Sequence, residues 1–244
     1  MRRYFIEISY NGTDYYGWQR QPRQHSVQEE IENALSKLHS NKEIPIVGCG
    51  RTDTGVHAKQ YFLHVDLENV GDTKHLIFKL NRMLPDSIVI HGIQEVSFDD
   101  HARFGAKERT YRYFIHLKKD AFINEMSWYF PQEPDFGKMN EAAQHFLGKQ
   151  DFTSLSKLHT DVKTNICTVT KAEWVKHDDD RWYFEIAADR FLRNMVRATV
   201  GTLLDVGLDK IQPDDIKKIL EAKDRGEAST SVPAHGLFLW KIIY

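Results

Sequence analysis

The sequence predicts an α+β protein: two tandem ferredoxin-like (RRM-like) halves merging into one largely antiparallel sheet, with helices on one face and a catalytic cleft on the other. Three observations point there. Strand-period and helix-period segments run β-α-β-β-α-β through residues 1–104. The same order returns through residues 105–244, with one extra helix. A length of 244 residues fits two units of ordinary size. The halves show no obvious sequence repeat, so the duplication is read from topology alone.

Residues 3–9 alternate, with Tyr4, Ile6 and Ile8 against Arg3, Phe5 and Glu7, as a half-buried strand does. "NGTDYYGWQRQPRQ" carries turn residues without a period and reads as a loop. Ser26 then serves as N-cap of a helix, and Glu29 completes a capping box. Val27, Ile31, Ala34, Leu35 and Leu38 form its apolar stripe. Residues 44–47 make a short strand that enters "GCGRTDTGVHAKQ", and residues 60–66 make the strand that leaves it. Residues 73–83 are helical, stopping near Pro85, and residues 87–96 are a strand.

In the second half, residues 107–117 form a long strand and residues 139–147 a helix ended by Gly148. Residues 165–176 and 181–188 pair as a hairpin around "HDDD". Residues 191–206 read as a helix ended by Gly207; a short helix follows Pro213, and residues 237–242 close the half as a strand.

The composition sets limits. A hydrophobic content of 41% supports a real core. No apolar run approaches the roughly 20 residues of a spanning helix. The segment "MRRYFIEISY" begins a strand pattern and lacks a signal-peptide core. Two cysteines, Cys49 and Cys167, point to a reducing compartment, so a soluble cytoplasmic protein is expected. The net charge of −2 does not suggest nucleic acid. Yet basic residues cluster at Arg2 and Arg3, Arg20 and Arg23, 107–112 and 190–197, while acidic ones gather at 178–180. A neutral total can hide a basic groove; scattered solvated charges are the plainer reading.

Asp53 is the first candidate for chemistry. Glycines 48, 50 and 55 let its loop turn tightly. Arg51 stands two residues away, and a nearby cation favours the carboxylate anion. Such a group suits a nucleophile or base; a turn-capping aspartate is the alternative. His57 and His64 with Asp53 do not match a familiar zinc spacing. Cys49 beside Arg51 offers a thiolate, against the reading of a small buried apolar residue. In "RTYRYFIHL", Tyr111 and Tyr113 share one strand face and Arg112 the other, which makes either a base-stacking platform or a buried aromatic face. Arg190, Arg193 and Arg197 fall at helical spacing and form a phosphate track or an ordinary solvated side.

Taken together, "YNGTDYYGWQRQP", "SVQEEIENAL", "GCGRTDTGVHAKQ", "LPDSI", "HARFGAKERTYRY", "HFLGKQDFTSL", "FLRNMVRATVGTLLDVG" and "HGLFLW" closely resemble the tRNA pseudouridine synthase A family. The motifs occur in the family's order over nearly the whole chain. The resemblance implies that uridines of the tRNA anticodon stem–loop, at tRNA positions 38 to 40, become pseudouridine, without metal or cofactor, in a homodimer. It implies that Asp53 is the catalytic aspartate and Tyr111 the tyrosine stacking on the target uracil. Arg51 matches the arginine that helps displace the nucleotide, Arg197 the basic partner of the aspartate, and Leu237 the aliphatic residue against the base. Arg20, Arg23, Arg190 and Arg193 are expected on the tRNA backbone. Thr54 and Ala198 depart from the commoner alanine and asparagine, which leaves the reacting groups intact and bears on substrate preference. Two other functions fit the residues alone: a non-catalytic RNA-binding protein with RRM-like halves, and a uridine-modifying enzyme using Cys49.

Overall fold

The computed structural model describes residues 1–68, 70–157 and 163–244. It divides into two compact units, Met1–Lys107 with Phe238–Tyr244, and Glu108–Leu237. The elements run β1 (Arg2–Tyr10), α1 (Val27–Leu38), β2 (Ile46–Gly48), β3 (His57–Leu67), α2 (Thr73–Met83) and β4 (Ile88–Val96). There follow β5 (Glu108–His116), β6 (Trp128–Tyr129), α3 (Phe136–Ala143), β7 (Gly148–Asp151), β8 (Ile166–Lys176) and β9 (Arg181–Ala188). The chain ends with α4 (Met195–Gly207), α5 (Asp215–Ala222) and β10 (Leu237–Ile243). The class is α+β, with mostly antiparallel strand pairs and, among the described residues, five α-helices. No helix is long and apolar enough to cross a membrane among those residues.

In the first unit, β1 lies between β4 and β3, antiparallel to both. β2 pairs β3 through Ile46 opposite Val65, and β10 adds in parallel, with Phe238 opposite His57. Alternation decides the faces. Tyr4, Ile6, Ile8, Leu63, Val65, Ile88 and Ile90 are buried, as are Val27, Ile31 and Leu35 of α1 and Leu76 and Leu80 of α2. Ser26 caps α1 as its sequence requires, its Oγ accepting the Glu29 N–H at 3.3 Å. The other face is polar and aromatic: Arg3 forks onto Asp66 with two bonds of 2.8 Å, and Phe5 lies against His64 and Tyr244.

In the second unit, β9 lies between β5 and β8, and β7 extends β8. Helix α3 packs on one face, where Phe136 stacks on Trp182 at 3.7 Å and meets Trp174 edge-on. Trp182, Phe184 and Ile186 alternate onto that face, opposite Ile115, Tyr113 and Tyr111.

Several expectations change. The helix placed at 191–206 begins only at Met195, because Asn194 takes a left-handed φ of 68° that interrupts a helical run. The helix placed at 139–147 starts at Phe136, capped by Asp135, and tightens into a 3-10 turn after Ala143. β6 and β7 have no alternating apolar pattern and were not anticipated. In the second unit Tyr111 leaves β5 on the face that α3 covers, and Arg112 on the opposite face. That opposite face carries ion pairs, with Glu185 between Arg112 and Lys171.

Candidate active site

Asp53 lies in the 49–56 loop between β2 and β3 and is half-buried. A loop of this kind holds a side chain accurately only when its backbone groups are bonded. Here a second loop, residues 11–18, supplies the bonds. The Trp18 N–H donates to the Thr52 carbonyl at 3.2 Å, and the Gly55 N–H donates to Tyr15 O at 3.3 Å. The Asp53 carbonyl accepts the Val56 N–H at 3.1 Å, which closes the turn on the carboxylate's own residue. Side chains complete the clamp. The Tyr10 hydroxyl hydrogen-bonds Thr52 Oγ1 at 2.8 Å, and the Tyr61 hydroxyl donates to Gly50 O at 2.5 Å. Trp18 stacks on Tyr61 at 4.1 Å, so the two loops share one aromatic wall.

Gly17 shows how closely the loops approach. Its φ is +90°, and a Cβ there would lie 2.4 Å from the Thr52 carbonyl oxygen and 3.1 Å from the Asp53 carbonyl carbon. Only glycine fits both requirements. Arg51 is exposed at the start of the same loop. The structure thus brings together Asp53, Arg51, Thr52 and the 11–18 loop within one unit.

His57 is buried; its Nδ1 accepts the Gly12 N–H at 3.0 Å, and its ring stacks on Phe238. His64 is buried with its Nδ1 accepting the Ala102 N–H at 3.1 Å. Burial pushes its pKa down to about 4, with Arg3 and His101 acting in the same direction. Both rings therefore have structural work. Among the described residues, no three His, Cys, Asp or Glu side chains gather as metal ligands do. Cys49 is fully buried, the environment of an inert structural thiol.

In the second unit, Tyr111 is half-buried on β5 with the edge of Phe191 at 4.9 Å. Tyr113, two residues on, is fully buried, and its hydroxyl donates to Pro233 O at 2.8 Å. Burial raises its pKa, while Arg197 acts against the rise. Of the two tyrosines, only Tyr111 has ring surface available for a base.

Arg197 lies on the first turn of α4. Its Nε–H donates to Val232 O at 2.7 Å, and the Val232 N–H returns a bond to Arg197 O. The 228–236 segment is fastened along the same helix. The Ser229 N–H donates to Thr202 Oγ1 at 3.3 Å, and Asn194, just before the helix, donates to Ser231 Oγ at 2.6 Å. Leu237 follows directly and is buried. One strap thus sets both Arg197 and Leu237, a link between distant residues that sequence spacing does not contain.

The arginines do not form one helical row. Arg190 and Arg193 precede α4, and only Arg197 is on it. Arg193 is exposed and Arg190 half-buried. Arg20 is exposed and faces Glu32 at 3.2 Å and Glu29 at 3.7 Å. Arg23 is exposed at a backbone φ of 62°.

Comparison with known proteins agrees with the motifs. The family described as tRNA pseudouridine synthase matches residues 142–244. A tRNA pseudouridine synthase A of Parabacteroides distasonis is 51% identical, the match covering 100% of this chain and 96% of that one. Its namesake from Bacteroides thetaiotaomicron is 48% identical over 100% of this chain and 91% of its own. The Bacillus subtilis protein of that name is 40% identical, with 97% of each chain covered.

Proposed function

The chain belongs to the tRNA pseudouridine synthase A family, and from that premise we propose that it is an isomerase converting uridines of the tRNA anticodon stem–loop, at the three positions named above, to pseudouridine. The clamped Asp53 loop carries this reading. It offers one carboxylate on a loop whose backbone is held by neighbouring residues and which also carries an exposed arginine.

The reaction breaks the N1–C1′ bond, turns the uracil and joins C5 to C1′. N1 gains a proton and C5 loses one, so no water is consumed. A glycoside hydrolase uses two carboxylates, a protonated acid for the leaving group and a base or nucleophile, and admits water. An isomerase that retains its base needs only one. Asp53 either attacks C1′ as uracil leaves or removes a sugar proton; both routes use an anion. Tyr111 and Leu237 hold the detached base so that it turns without escaping. Arg197 takes the role that the family resemblance gives it, the basic partner of the aspartate, while its Nε–H donates to Val232 O. Arg51 fills the gap left by the flipped nucleotide, whose unstacking costs about a few kcal/mol.

Specificity then rests on tRNA shape and phosphate contacts. Arg23, Arg190 and Arg193 supply such contacts, and Arg20 does so on leaving Glu29 and Glu32. The working form is a cytoplasmic homodimer without metal or cofactor. The rival reading, an RNA-binding protein without chemistry, leaves a clamped anion on a surface that must attract phosphate.

Chemical mapping of pseudouridine in tRNA incubated with the purified protein tests the proposal. Modification in the anticodon stem–loop is expected with the native chain. Asp53→Asn should lower the rate more than about 10³-fold while tRNA binding survives. A variant turning over normally would remove Asp53 from the chemistry.

A further inference from the structure

In the first unit, the ring of Phe104 stands exposed on a turn after β4. It is 77% exposed, yet the turn that carries it is tightly built. The Gly105 N–H donates to His101 O at 2.8 Å, and His101 Nδ1 accepts the Arg103 and Phe104 N–H groups at 3.1 and 3.3 Å. The base of the turn is fixed at Ala102, whose N–H goes to His64 and whose carbonyl accepts the Tyr244 hydroxyl at 2.7 Å. The His101 ring supports Phe104 from one side at 4.4 Å, and the Arg103 guanidinium lies 5.6 Å from the Phe104 ring centre.

A single exposed phenylalanine needs no explanation. A phenylalanine displayed by a bonded turn, beside an arginine, resembles a platform for an unpaired base. Its position supports that use. Arg103 lines an open groove together with Trp18, Gln19, Val47, Gly50 and Arg51. Gly50 and Arg51 belong to the loop that also carries Asp53, so the groove joins the turn at Arg103 to the start of that loop within one unit. Its two arginines suit a phosphate chain, and Phe104, the next residue along the turn from Arg103, suits a base.

We propose that Arg103 and Phe104 form a second contact for single-stranded RNA, with Arg103 holding a backbone phosphate and Phe104 stacking on an unpaired base beside the target uridine. The inference rests on the function proposed above, since it takes tRNA as the occupant.

The test measures tRNA affinity and kcat/KM for pseudouridine formation in Phe104→Ala, Phe104→Leu, Phe104→Tyr and Arg103→Gln, with sedimentation and thermal melting of each. Phe104→Ala and Phe104→Leu should weaken binding about tenfold, and Phe104→Tyr should stay within about twofold. Arg103→Gln should reduce the slope of log affinity against log salt by about 0.7. Melting should be unchanged. Leu binding as well as Tyr would overturn stacking, and unchanged affinity in every variant would overturn the contact. Variants that dissociate into smaller species would assign the patch to self-association and also overturn it. A native chain that binds tRNA in a Phe104-dependent way but forms no pseudouridine would defeat the proposed chemistry and leave this contact standing.

Discussion

The two units hold their candidate residues by opposite means. In the first, Asp53 sits on an irregular loop, and a second irregular loop clamps it through backbone bonds and an aromatic wall. In the second, Tyr111 and Arg197 sit on a strand and a helix, and the irregular part is a strap laid against that helix. Regular elements fix side chains through their own ladders. A loop must borrow rigidity from its surroundings. The first arrangement therefore has more to lose from one misplaced atom.

The largest break should come at Gly17. Alanine there meets two penalties together: a left-handed φ of +90° and a Cβ 2.4 Å from a carbonyl oxygen. Neither neighbour is a flexible side-chain end. Gly17→Ala should cost at least about 2 kcal/mol of stability in denaturant melts. Activity should fall further than the unfolded fraction explains, because the 11–18 loop can relax only by releasing Thr52 and Asp53. Full activity per folded molecule would show that the clamp does not position the carboxylate.

The same contrast explains what the sequence could and could not convey. The Ser26 cap and the 73–83 helix are local patterns, and the structure has both. The 49–56 loop was also legible, since glycines around an Arg-Thr-Asp run mark a turn. Its clamp was not, because Trp18 N and Tyr15 O are backbone atoms that any residue carries. Gly12 and Gly17 in "NGTDYYGW" were the available signal for a close approach. In the second unit, periodicity overreached. Phe191 and Leu192 continue the apolar pattern of α4, but Asn194 accepts a left-handed backbone and ends the run. The side from which Tyr111 projects depended on where α3 packs, which is tertiary information.

Acid should loosen the first unit next. His64 has a pKa of about 4 in the folded chain, lowered from 6.5 first by burial, then by Arg3 and His101, with Asp66 opposing. The unfolded chain thus binds the proton first as pH falls. The stability tied to neutral His64 is complete above about pH 6.5 and is lost progressively towards about pH 4. Its size is at most about 3 kcal/mol. Protonation also removes the acceptor for the Ala102 N–H, so the 101–105 turn loosens with it. Carboxylates titrate nearby, so the measurement is the difference between the native chain and His64→Gln in urea melts from pH 7 to pH 4. The native chain should lose more over that range. Parallel losses would mean that His64 takes up its proton equally in both states.

Gly201 offers the matching test in the second unit, with the smallest expected effect. A Cβ there would lie 2.1 Å from Thr230 O, closer than at Gly17. Gly201, however, lies within α4 and keeps a helical backbone, so alanine gains about 1 kcal/mol of helix propensity. The obstacle is the strap, which overpacking pushes aside at about 1–3 kcal/mol. The net loss from Gly201→Ala should be about 1 kcal/mol, below that of Gly17→Ala although its clash is tighter. Displacing Thr230 disturbs Val232, and through it Arg197 and Leu237, so kcat/KM should fall more than stability does. If Gly201→Ala instead stabilised the protein at full activity, the strap would be a passive cover, and only the loop of the first unit would depend on its neighbour for position.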